Sequence, residues 1–136
     1  MENQTTHKQI AQQKNLITGV QMISVEVRDL AKARPFYADV LGLSKTTHDV
    51  NANADVFELP GSTIPLAVHQ MPSSEAARKP TLTSGIVLYV EDVARAATEI
   101  SRRGGRIVDQ AEKTEHGDIL ATVADPEGNE FLLAQK

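Results

Sequence analysis

The chain has 136 residues, 40% of them apolar, and a formal net charge of −4. That is the length of one domain, with enough Ile, Val and Leu for a packed core; the absence of cysteine excludes a disulfide scaffold and thiolate chemistry and permits a reducing cytoplasm, the expected location. Scattered basic residues with no Trp, two Tyr and three Phe argue against a nucleic-acid partner, and no apolar run is long enough to span a bilayer, so no membrane role is expected.

Residues 1–15, MENQTTHKQIAQQKN, read as a polar tail, either disordered or carrying a short helix from Thr6 to Gln13. Residues 16–136 read as one domain that contains the same module twice. Ile23-Ser-Val-Glu-Val-Arg-Asp-Leu-Ala-Lys-Ala-Arg34 and Ile86-Val-Leu-Tyr-Val-Glu-Asp-Val-Ala-Arg-Ala-Ala97 lie 63 residues apart. Each is a β-branched strand, an Asp, and then a helix. Asp29 and Asp92 stand where a side-chain oxygen can accept the unpaired N–H groups of a first helical turn. Leu30, Ala33, Tyr37 and Leu41 recur at helical spacing, as do Val93, Ala96, Ala97 and Ile100. The first helix is expected to run to Gly42 and the second to Gly104-Gly105.

Strand-like pieces follow each helix: Ser44–His48, Asp55–Leu59 and Ile64–His69 in the first copy, Arg106–Gln110, Ile119–Ala124 and Glu130–Ala134 in the second. A polar segment bracketed by prolines, 71–80, reads as a linker between a module of about 16–70 and one of about 81–136. In Asp125-Pro-Glu-Gly128, Pro126 sets φ, Asp125 can bond back to the backbone and Gly128 accepts a positive φ. As a hairpin connector this turn needs no chemistry.

The duplicated βαβββ pattern, the strand–Asp–helix starts and the closing Asp-Pro-Glu-Gly-Asn-Glu-Phe hairpin resemble the vicinal oxygen chelate superfamily. It includes glyoxalase I, extradiol dioxygenases, fosfomycin-resistance enzymes and bleomycin-resistance proteins. Leu30 to Leu43 is similar to the family's first helix, with Phe36-Tyr37 and Leu41-Gly42 in the usual places. The resemblance implies an α+β fold in which two βαβββ modules form a curved mixed-sheet barrel or cleft. It also implies a homodimer.

Metal-dependent members of that superfamily bring four ligands, His or Gln and Glu, from the first and last strands of each module. Carried over, those positions fall on Met22 (or Gln21), near Leu66, on Gly85 (beside Ser84) and on Leu132. Leu and Gly cannot coordinate, and a thioether suits softer ions than these enzymes use. A displaced set of His69, Glu26 and Glu130 is the remaining way to build a metal site. The expectation is a cleft with no metal and no cofactor.

Period-two alternation names what such a cleft presents. Met22 brings Ser24 and Glu26; Gly85 brings Val87 and Tyr89; Leu132 brings Glu130; Leu66 adds a fourth strand. Met22, Ser24, Glu26, Leu66, Val87, Tyr89, Glu130 and Leu132 are therefore the expected ligand-binding residues, unless Met22, Val87 and Leu132 simply fill the cup as core. Apolar walls with a few hydrogen-bonding points suit a small organic ligand, and the acidic points favour a neutral or cationic one. The expected function is metal-free binding of such a molecule, as in bleomycin-resistance proteins. The alternatives are a glyoxalase- or dioxygenase-type enzyme (lyase or oxidoreductase) with a non-standard or absent metal, in which Glu26 or Glu130 acts as base and Tyr89 as donor, and a protein-interaction module.

Overall fold

The computed structural model describes residues 16–18, 20–71 and 83–135. The expected helix over 6–13 and the linker beyond Met71 lie outside them. The first module contains β1 (Ile23–Val27), α1 (Leu30–Pro35), a π-helical turn (Phe36–Val40), β2 (Lys45–Asp49), β3 (Ala54–Phe57) and β4 (Leu66–Gln70). The second contains β5 (Thr83–Tyr89), α2 (Val93–Arg102), β6 (Arg106–Lys113), β7 (Ile119–Ala124) and β8 (Glu130–Ala134). Each module folds into a mixed four-stranded sheet, ordered β1-β4-β3-β2 and β5-β8-β7-β6. The outer pairs β1/β4 and β5/β8 are parallel and the remaining pairs antiparallel. The fold is α+β, and the described residues form no closed barrel.

Both helices start as their sequences dictate. Asp29 accepts the Lys32 N–H at 3.2 Å, and Asp92 accepts the Arg95 N–H at 3.0 Å. A second device repeats with them. The Gln70 side chain, at the end of β4, accepts the Leu30 N–H at 3.2 Å, and that of Gln135, just after β8, accepts the Val93 N–H at 2.8 Å. Each last strand thus supplies an acceptor to the first turn of its own module's helix.

The first helix departs from expectation. Its α-helical part ends at Pro35, not near Gly42. Pro35 has no N–H to give to the preceding turn, so the ladder cannot continue unchanged. The chain widens instead, and the Leu41 N–H reaches the Phe36 carbonyl at 2.8 Å, a five-residue spacing. The widened turn buries two consecutive aromatics, Phe36 and Tyr37, edge to face at 5.0 Å. Three strands of the first module also shift. β2 spans Lys45–Asp49, not Ser44–His48; β3 spans Ala54–Phe57, not Asp55–Leu59; β4 starts at Leu66, not Ile64. Pro65 stands before β4, where it lacks a ladder donor but offers its carbonyl to the Ile23 N–H at 3.0 Å.

One core serves both modules. The Tyr37 ring lies 5.8 Å from Phe57 of β3 and 5.9 Å from Phe131 of β8. Val25, Val27, Leu66 and Val68 of the first sheet join Val93, Ala97, Val123 and Leu133 of the second module in the same buried cluster. The helix-facing sides of both sheets therefore meet in a shared interior, and their other faces turn away from it.

The Asp125–Gly128 turn does more than connect a hairpin. Glu127 accepts the backbone N–H groups of Arg28 and Asp29, the latter at 2.7 Å, and Asn129 donates its amide to the Glu26 carbonyl at 3.2 Å. Tyr37 donates its hydroxyl to Asp125 at 2.7 Å. The last turn of the second module thus fastens the β1–α1 junction of the first.

Candidate functional site

The open faces are the sides of the two sheets turned away from the helices. On the first sheet, β1 places Ser24 and Glu26 there, both exposed, with Met22 40% exposed just before the strand. Strand pairing sets Ser24 beside Ala67 and Glu26 beside His69. Leu66 does not join them. It pairs with Ile23, is 2% exposed and belongs to the core with Phe57 and Val68. A shift of one residue moves a whole strand's set to the other face, so Ala67 and His69 take the place expected of Leu66.

On the second sheet, Val87 of β5 pairs with Leu132 of β8, and Leu132 pairs with Thr122 of β7. Val87 is 54% and Tyr89 68% exposed, while Glu130 and Leu132 are half-buried. Within one chain the apolar side chains Met22, Val87 and Leu132 do not fill a cup; they stand on open faces. Thr122 was not among the expected residues. The signal lay in the hairpin, because a turn that pairs Ala124 with Glu130 fixes Thr122 opposite Leu132.

Gly85 has φ +78°, and the pairing of β5 with β8 slips between Thr83 and Val87. Ser84 closes the irregularity: its hydroxyl donates to the Glu130 carbonyl at 2.6 Å and accepts the Ile86 N–H at 3.1 Å. This is a glycine bulge, a conformation that a side-chain-bearing residue adopts only under strain.

The donor set does not fit the metal that the superfamily resemblance implies. Met22, Gly85 and Leu132 occupy three of the ligand positions. At the fourth, Leu66 turns into the core and its neighbour on the open face is Ala67, a hydrocarbon. Glu26 and His69 are adjacent on the first sheet, but Glu130 lies on the second. Among the described residues no three His, Asp or Glu side chains converge closely enough to hold an ion.

Leu132→Glu tests the character of this face. A former metal site packed dry with leucine would lose several kcal/mol on receiving a carboxylate. Leu132 is only half-buried, so the expected loss is about 1 kcal/mol, part of the burial value of a leucine. Urea unfolding of the purified variant measures it.

Comparison with known proteins gives consistent results. A family model described as a glyoxalase-like domain matches residues 22–134. A probable lactoylglutathione lyase of Synechocystis sp. is 30% identical over 118 residues, which cover 82% of this chain and 90% of that protein. Among solved structures, a member of the glyoxalase/bleomycin resistance protein/dioxygenase superfamily from Sphaerobacter thermophilus superposes with a TM-score of 0.75 at 30% identity, covering 89% of this chain and 99% of the other. TnmS3, an antibiotic binding protein from Streptomyces sp. CB03234, superposes with a TM-score of 0.72 at 26% identity, covering 88% of this chain and 96% of the other. Among the described residues no helix is long and apolar enough to cross a membrane.

Proposed function

The chain belongs to the glyoxalase-like family of the vicinal oxygen chelate superfamily, and from that premise we propose that it is a cytoplasmic binder of a small organic molecule that works without a metal. The observation that carries this reading is the pair Val87–Leu132, in register on the second open face, where the superfamily's metal enzymes need a carboxylate. Apolar groups there, with Tyr89, Thr122 and Glu130 around them, suit an organic ligand held by surface burial and a few hydrogen bonds. Glu26 and Glu130 favour a neutral or cationic molecule. The similarity to an antibiotic binding protein points the same way.

The two open faces turn away from the shared core, so one chain offers two half-clefts. We infer that a homodimer completes each cleft, with the first sheet of one protomer over the second sheet of its partner. Exposed Met22, Val87 and Tyr89 would then become walls of the site. Sedimentation at tens of micromolar should give a dimer mass; a monomer would remove the completed cleft.

The test of binding is titration calorimetry with a panel of neutral and cationic aromatic antibiotics, before and after dialysis against a chelator. Binding should survive the chelator. Tyr89→Phe should weaken it by about 1 kcal/mol, one hydrogen bond, and Tyr89→Ala by more, because the ring also covers the ligand. Equal affinities in wild type and both variants would defeat the assignment of Tyr89. Similarity to the lactoylglutathione lyase favours a second reading, an enzyme of the glyoxalase or dioxygenase type with Glu26 or Glu130 as base. Stoichiometric Fe, Mn, Ni or Zn in protein purified without chelator, together with loss of all binding on chelation, would select it.

A further inference from the structure

A crevice lies on the helix side of the second sheet and reaches its edge strand, where Val87 and Tyr89 also line it. α2 packs over β6 and β7, while β5 is the edge strand at the other side of the sheet. The inward side chains Ile86 and Leu88 of β5, and Val90 just after it, are not covered as β6 and β7 are, and remain half-buried. They floor a crevice of about 570 Å³, within the range of small-molecule sites. Ala96 of α2 lines one wall; its small side chain leaves the space open. Leu43 and Leu59 of the first module line the other.

The crevice has one cationic corner. Arg103, on its rim, donates through Nε to Glu99 at 3.0 Å and through Nη1 to the Val40 carbonyl at 3.0 Å. Its Nη2 makes no bond among the described residues. Glu99 is shared with a second guanidinium, that of Arg102. Two cations against one carboxylate leave an excess positive charge beside an apolar trough. The hydrogen bonds from the two arginines hold the Glu99 carboxyl down to about 2.

We propose that this crevice is a second binding site, for a small amphipathic organic anion: an apolar body in the trough and one carboxylate or sulfonate on Arg103. It adjoins the open-face site at Val87 and Tyr89 of the edge strand and differs from it in charge preference. Its failure and that of the open-face reading are separable through Ala96 and Arg103, which line the crevice and are not among the open-face residues.

The experiment uses two fluorescent probes of similar shape, anionic 1-anilinonaphthalene-8-sulfonate and neutral N-phenyl-1-naphthylamine, titrated into the full chain. Both should bind. Ala96→Phe, which fills the trough, should weaken the sulfonate at least tenfold and the neutral probe as well. Should that variant not melt cooperatively, Ser62→Phe closes the trough from the opposite rim and should do the same. Arg103→Gln should weaken the sulfonate about tenfold, the worth of a charged hydrogen bond, and leave the neutral probe unchanged. Leu132→Trp, on the open face that disfavours anions, should leave the sulfonate probe unchanged. The proposal is overturned if Leu132→Trp displaces the sulfonate and Ala96→Phe does not, or if Arg103→Gln weakens both equally. It is also overturned if neither probe binds; should Ala96→Phe then convert a dimer to a monomer, a second copy occupies the crevice.

Discussion

Asp125→Ala should destabilise the fold by about 4 kcal/mol, because it strands several buried donors at once. Asp125 is 1% exposed and accepts four hydrogen bonds: the Tyr37 hydroxyl at 2.7 Å, the Asn129 side-chain amide at 2.8 Å, and the Glu127 and Asn129 backbone N–H groups, both at 2.9 Å. Alanine offers none of these acceptors, and a fully buried Tyr37 hydroxyl cannot turn to water. Tyr37→Phe removes one donor and leaves the carboxylate three, so it should cost only about 1.5 kcal/mol. Urea denaturation of the two variants measures the contrast. Near-equal losses would mean that the aspartate does not organise this turn.

The same pair sets an alkaline limit. Burial pushes the Tyr37 hydroxyl well above the ordinary tyrosine range, and the charge of Asp125 and its hydrogen bond push it further. A folded-state pKa raised above the unfolded one gives stability that is present below about pH 10, the unfolded value, and lost as pH rises beyond it. Wild-type stability should therefore fall above that pH, and Tyr37→Phe should flatten the slope.

What was legible in the sequence is what repeats or has a local cause. The two Asp caps, the second helix, β7 and β8 and the closing turn all follow from short-range rules. Pro35 was visible too, but the π-turn it provokes depends on where Phe36 and Tyr37 must go, which is a matter of packing. Leu66 shows the limit for the site. Its strand is apolar at Leu66, Ala67 and Val68 in succession, all buried, so alternation carried no phase. Only the parallel pairing with β1 decides that Ala67 and His69 share a face with Ser24 and Glu26. The long-range polar contacts were not legible either. Nothing local to Asp125 or Glu127 announces partners about 90 to 100 residues away.

A second such contact predicts a comparably large effect. Asp55 of β3 is fully buried on the helix side of the first sheet, where Arg34 of α1 donates to it through Nε. His48 Nδ1 lies 2.8 Å from it and Lys45 3.9 Å. Burial alone would raise the Asp55 carboxyl, but the hydrogen bonds from Arg34 and His48 and the charges of Arg34 and Lys45 outweigh it and hold it below the usual range. A depressed folded-state pKa gives stability that is present above the unfolded aspartate value, about 4, and lost as pH falls through the folded one. Arg34→Met keeps the apolar stem and removes the charge from this buried carboxylate. The expected cost is about 3 kcal/mol at neutral pH, at the low end for a broken buried pair because Arg34 is partly exposed and Lys45 remains. The acid-side slope should shrink in that variant, since its Asp55 is no longer held down as far. Adding Asp55→Asn removes the uncompensated charge and should recover part of the loss, so the double variant loses less than the sum of the two single losses. Purely additive losses would show that the two side chains do not act as a pair. The link would then not be what holds α1 against β3, the strand whose next residue, Val56, pairs with Ala67 on the open face.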